Sequence, residues 1–196
     1  NVAKYLSGQP VIGVNADPDA NPGVLVPHRP GDVARLLAGK ASVAPLTMVE
    51  AVADDGQSLL ALNEIYLGHP NHQTARWTLH VDGATERQAS SGLIVGTGTG
   101  ATGWCASVAR SRSGAPALPA PTASELAWFV REAWPSPATG TDCVQGLLGP
   151  GDRLDVAVET DGLVAFGDGM EADRLTLAWG QRVGIGIAGQ RLCLVV

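Results

Sequence analysis

Asn63 and Glu64 put an amide and a carboxylate on consecutive positions inside the β-prone run 59–67. Successive residues of a strand point to opposite faces unless a bulge re-aims one. An amide beside a carboxylate can grip a ribose, whose hydroxyls both donate and accept; the same two residues also fit a polar strand end. A second candidate is Gly96-Thr97-Gly98-Thr99-Gly100-Ala101-Thr102-Gly103, which follows the strand-like Leu93-Ile94-Val95 and precedes the helix-like run 104–110. Strand, glycine loop and helix in that order aim free N–H groups and a positive helix end at an anion or a ribose. Gly98, Gly100 and Gly103 satisfy G-x-G-x-x-G, but the dinucleotide form of that pattern needs a second parallel strand with an acidic residue about 20 residues on. This chain has the Pro-rich loop 111–121 there. The glycines could serve close packing alone; the alternating threonines favour a loop that lines a ligand.

The remaining polar clusters are less specific. His69 and His72 share the turn HPNH with no third ligand nearby, which reads as a surface loop, and no metal site is expected. Arg131-Glu132 reads as a salt-bridged strand end. Cys105, Cys143 and Cys193 are an odd count with no CxxC pair, which argues against a disulfide framework and a thiolate metal site and fits a reducing, cytoplasmic setting.

Positioning these residues requires a strand-rich scaffold. With 45% apolar residues in 196, the chain can bury a real core, and 25 Gly and 13 Pro with only 16% charged residues argue against a helical bundle. Asp-Gly, which suits the positive φ angles of tight hairpins, recurs at 55–56, 82–83, 161–162 and 168–169. Between and around these lie β-prone runs at 46–53, 59–67, 76–81, 93–95, 153–159, 163–166, 175–178 and 181–187. They predict an antiparallel β-sandwich over 45–196. The run 126–131 fits either a strand or a helix, the latter through a Thr122–Glu125 capping box. Residues 1–44 predict the C-terminal part of an α/β, Rossmann-like domain: a helix body at 1–6, a buried parallel strand at 10–15, and a short helix capped by Asp32 and ended by Gly39. A net charge of −6 with dispersed cations offers no stripe for nucleic acid and no patch for a membrane surface, and no run is long enough to span a bilayer.

Taken in order, these pieces resemble the NAD kinase family, most closely its mitochondrial-type branch and bacterial relatives. PVIGVNADPDANPGVL, ALNEIYLG, SSGLIVGTGTGATGW, FVREAW and GDG carry the resemblance along nearly the whole chain. It implies phosphoryl transfer from ATP, with Mg²⁺ or Mn²⁺, to the 2′-hydroxyl of the adenosine ribose of NAD, giving NADP. It leaves open polyphosphate as donor and NADH as acceptor. It further implies that Asn63 and Glu64 hold the adenosine portion, that Thr102, Gly103, Trp104 and Ser107 line the adenine and ribose pocket, and that Thr97, Gly98, Thr99 and Gly100 form the loop. Homo-oligomers with pockets completed by a neighbour are implied as well. Against the more widespread form of the motif, Ser91 stands for an aspartate, Gly98 for a proline and Trp104 for a tyrosine. The family's GGDG motif, with its catalytic aspartate, is expected N-terminal to Asn1, so the chain alone is expected to be inactive. A related lipid or sugar kinase and a non-catalytic dinucleotide-binding module are the alternatives.

Overall fold

The computed structural model describes residues 2–20, 23–39 and 41–196. Two sheets, almost wholly antiparallel, face each other. The first has the order β3 (Ser58–Ala61), β2 (Val43–Ala53), β13 (Arg182–Val195), β10 (Arg153–Val158), β5 (Ala75–Val81) and β6 (Ala84–Ser90), with the two-residue β1 (Pro10–Val11) running parallel to the end of β13. The second has the order β12 (Met170–Leu177), β11 (Leu163–Gly167), β4 (Glu64–Gly68), β7 (Gly92–Gly96), β8 (Leu126–Arg131) and β9 (Gln145–Leu148).

Alternation puts one face of each strand into the core. Val49 and Ala51, Leu154 and Val156, and Val183 and Ile185 point inward from the first sheet; Ile65 and Leu67, Leu93 and Val95, and Trp128 and Val130 meet them from the second. Trp77, fully buried, keeps its indole satisfied by donating Nε1–H to Gln88 Oε1 at 2.9 Å. The outer face of the second sheet is covered by α2 (Trp104–Arg110), which packs on Tyr66, Ile94, Ala127 and Phe129 through Cys105 and its neighbours.

Hairpin chemistry follows the Asp-Gly signals. Asp82-Gly83 and Asp168-Gly169 have φ of 50° and 77°, and 55° and 70°, the doubly positive pair of a type I′ turn joining β5 to β6 and β11 to β12. The run 126–131 is strand β8, because its position between β7 and β9 supplies hydrogen bonds on both edges. Strands β6 and β9 lie outside the predicted runs; β6 reads ATERQAS, too polar for the apolar pattern, and is recruited by the turn that precedes it. The predicted run 59–67 is two strands, broken at Leu62-Asn63 where the chain leaves the first sheet for the second.

The N-terminal residues differ from expectation. Val2–Tyr5 form a 3-10 turn instead of a helix body, Asn1 lies outside the described residues, and the parallel strand is limited to Pro10–Val11, exposed or half-buried. The predicted helix is the five-residue α1 (Val33–Leu37), closed by Gly39 at φ 77°; Asp32 stands at its N-terminus without a side-chain cap, its Oδ2 instead accepting the Arg29 N–H at 3.0 Å. Among the described residues β1 pairs only with β13 and no helix covers its outer face, so it is not buried on both faces. The segment is held to the sandwich because Ala3, Leu6, Val11 and Leu25 pack on Leu46, Met48, Leu192 and Leu194, beyond the bulge between Ile187 and Arg191. The expected boundary at 44/45 falls inside β2. No helix among the described residues is long and apolar enough to cross a membrane.

Candidate functional site

The corner at Leu62-Asn63 has a local problem: a chain that switches sheets leaves its backbone groups without ladder partners. Two elements solve it. Asp168, in the β11–β12 turn, accepts Leu62 N–H at 3.1 Å through Oδ2 and Asn63 N–H at 2.6 Å through Oδ1. Thr97, at the end of β7, donates its hydroxyl to Leu62 O at 2.5 Å and its N–H to Asn63 O at 2.8 Å. Both peptide units are thereby fixed, and Glu64 enters β4 opposite Gly96, with its carbonyl accepting the Asp168 N–H at 3.0 Å.

The glycine loop lies directly on this corner. A Cβ on Gly100 would stand 2.3 Å from Asn63 O and 3.0 Å from Glu64 Oε2; one on Gly98 would stand 2.0 Å from Ala120 O; one on Gly96 would meet Cys105 Sγ at 2.4 Å. None of these glycines has positive φ. At Gly98 and Gly100 the missing side chain permits close approach of backbone to backbone, and that contact brings the loop to Asn63 and Glu64. Thr97 also accepts the Thr99 N–H at 3.1 Å through its hydroxyl, while the buried Thr99 hydroxyl has no partner among the described residues. The loop closes through the 3-10 turn Gly100–Thr102 into α2. Thr102 donates its hydroxyl to Thr99 O at 3.3 Å; Thr102, Gly103 and Ser107 are exposed.

Electrostatically the corner is acidic. Burial, with a smaller contribution from the Asp168 charge, raises the Glu64 carboxyl to about 7. Cys105, buried behind the loop and facing Glu64, is pushed up to about 12 by burial and then by that charge, so its thiol is no nucleophile. Next along the same face Tyr66 stacks on Trp104 at 5.7 Å between centroids and 10° between planes, with Phe166 on its other side at 5.0 Å. The Arg131 guanidinium stands 5.4 Å from the Trp104 ring, and Tyr66 donates its hydroxyl to Ser91 O at 2.9 Å. Ser91 thus meets the site through its carbonyl.

Asn63, Glu64, Thr97, Gly98, Thr99 and Gly100 are therefore contiguous, and Trp104 adjoins them through Tyr66. Ser107 is one turn further along α2, outside this contact. Sequence reasoning left Asp168 as a turn residue and did not single out Tyr66 and Phe166. The Asp168 signal was present, since GDG falls among the family-like pieces; the aromatic pair carries none, being ordinary strand residues until β4 and β11 are paired at Tyr66–Phe166. His72 lines a cleft with Tyr66, Ser91 and Arg131, beside the aromatic stack, and His69 is half-buried next to it; among the described residues no three His, Cys, Asp or Glu are grouped to hold a metal.

No protein-family model and no curated protein matches the sequence. Among solved structures the fold is similar to that of yeast NADH kinase complexed with NADH, with a TM-score of 0.69 and 15% identity over 89% of this chain and 51% of that one. The chain spans about half the length of that neighbour, and at this identity the likeness is one of fold.

Proposed function

We propose that this chain is the dinucleotide-binding part of an NAD(H) kinase, a phosphotransferase acting on the adenosine ribose of NAD. The observation that carries the reading is the Asn63-Glu64 corner: an amide and a carboxylate offered at a sheet crossing, locked by Asp168 and Thr97, in a fold shared with a solved kinase of that class. In this reading the ionised Glu64 carboxylate accepts from ribose hydroxyls and Asn63 donates and accepts beside it. The rigid corner and loop orient the sugar without paying for its ordering at each turnover, and Trp104 with Tyr66 supplies a flat apolar wall at the loop-to-helix junction. The acid pair Glu64 and Asp168 is too small a donor set for a resident metal, so Mg²⁺ would arrive on the phosphates of ATP, where it neutralises charge on the transferring group. The aspartate that would activate the acceptor hydroxyl and a neighbouring subunit that would close the pocket belong to this proposal too.

The test has two arms. Calorimetric titration of this chain with NAD and NADH should give saturable binding that Glu64→Gln weakens. The parent protein, given Mg²⁺ and ATP, should form NADP(H) in an assay coupled to an NADP-specific dehydrogenase, and chelation of the metal should stop it. Absence of product from a folded parent protein would overturn the kinase reading.

A further inference from the structure

A second cleft adjoins the residues that follow α2. It has a volume of about 360 Å³ and lies between those residues and the loop after β8, lined by Arg112, Ser113, Glu132, Thr141 and Gln145 over an apolar floor of Val130, Ala133 and Val144. None of the residues of the Asn63-Glu64 corner reaches it.

Three observations set this cleft apart from ordinary surface. Arg112 lies across Phe129 at 5.8 Å, donating one Nη1–H to Val144 O at 2.8 Å and one Nη2–H to Val130 O, where the β8–β9 ladder opens. A guanidinium has five N–H donors, so three are left without a protein acceptor among the described residues, and no carboxylate pairs with it directly. Burial lowers the Arg112 pKa, opposed by the Glu132 charge. Gln145 presents its NH₂ to Ser113 O at 3.3 Å and Gly114 O at 3.0 Å; two carbonyls on one side fix the amide's orientation and leave Oε1 buried with no donor. Glu132, at the lip, holds φ at 39°, a left-handed conformation uncommon for a non-glycine residue.

We propose that this cleft is a binding site for a planar heterocyclic amide, the chemistry shared by nicotinamide and the lactam edge of a nucleobase. The amide carbonyl accepts from the spare Arg112 N–H groups, the amide N–H supplies the donor that Gln145 Oε1 lacks, and the ring lies on Val130, Ala133 and Val144. Because Gln145 Oε1 is covered when the cleft is empty, entry requires Ser113 and Gly114 to shift together with the amide they hold.

The probe is nicotinamide, with 3-acetylpyridine, which keeps ring and carbonyl but has no N–H, as its control. In two-dimensional NMR of the intact protein, nicotinamide should shift the Ser113, Glu132 and Thr141 backbone signals and the Gln145 side-chain amide saturably, and 3-acetylpyridine should bind at least fivefold more weakly. Arg112→Lys, which keeps the charge but changes the fork, should weaken binding at least threefold while the rest of the spectrum stays native. No saturable shift at these residues, shifts confined to Asn63, Glu64 and 97–103, or equal binding of the two probes would overturn the proposal. The dinucleotide reading is tested separately by NAD titration and stands or falls without this result.

Discussion

Glu64 joins the chemistry of the site to the stability of the fold. Its carboxyl ionises near 4.5 in an unfolded chain and near 7 in the folded one, because burial and then Asp168 disfavour the charge. The folded state therefore binds more protons between those values: the stabilisation is complete below about 4.5 and is lost as pH rises through about 7. Glu64→Gln should flatten this slope and, above pH 7, stabilise the protein by on the order of 1–2 kcal/mol, the figure being reduced for partial exposure. Urea midpoints at pH 5 and pH 8 measure it. The same substitution should weaken NAD binding by about 1–3 kcal/mol, the usual loss for a hydrogen bond to a charged group. A ribose that donates to the carboxylate favours its ionised form, so wild-type affinity should rise from pH 6 to pH 8 with release of up to one proton, read by calorimetry in buffers of different ionisation enthalpy. Asp168→Asn tolerates the positive φ and removes the neighbouring charge, but it sets an NH₂ against one of the two N–H groups, of Leu62 and Asn63, that the carboxylate accepts. It should lower the Glu64 pKa only in part, because burial is the larger cause, and it should loosen the corner; side-chain NMR follows the first and the melting temperature the second.

The glycine loop and the crossing of β3 into β4 work as one element. Gly100 faces Asn63 O without a positive φ. Gly100→Ala must push the loop off the corner, at about 1–3 kcal/mol for overpacking against backbone, and because Asn63 and Glu64 move with it, both melting temperature and NAD affinity should fall. Thr102→Val removes an exposed hydroxyl bonded only to Thr99 O, so the melting temperature should change little; any loss of affinity then reports contact with the ligand. Thr97→Val is the harsher change, since Leu62 O and the Thr99 N–H lose their shared partner in a buried setting, and about 2–3 kcal/mol of stability should go with it.

At the scale of the whole molecule, the two sheets depend on one core. Trp77→Ala should cost about 3–5 kcal/mol as a cavity forms, with Gln88 Oε1 left unpaired beside it. Against a domain stability of about 5–15 kcal/mol this approaches unfolding, visible as a lowered denaturant midpoint. Loss of NAD binding in that variant should track the unfolded fraction, whereas in Glu64→Gln it should not. The N-terminal segment leans on the extension of β2 and β13 through Leu46, Met48, Leu192 and Leu194. Met48→Ala, made at a fully buried position, should destabilise by about 2–5 kcal/mol and loosen residues 2–14 first, measured by hydrogen exchange.

The sequence by itself determined the periodicity and the turns. Alternating apolar residues named most strands because side-chain burial has period two, and Asp82-Gly83 and Asp168-Gly169 named two hairpins because those residues tolerate positive φ. The candidates Asn63, Glu64 and 97–100 were legible for the same local reason: residue type and spacing carry chemistry. Tertiary structure alone decided what local pattern cannot encode. The polar strand β6 and the run 126–131 took their conformations from the partners at their edges, and the break at Leu62-Asn63 arose because one apolar run had to serve two sheets. The close approach at Gly98 and Gly100 was set by Ala120 and Asn63 arriving from distant positions. Asp168, 105 residues from Asn63, became part of the site only when β11 paired with β4, since the hydrogen bonds that hold the corner exist only where the chain returns to it.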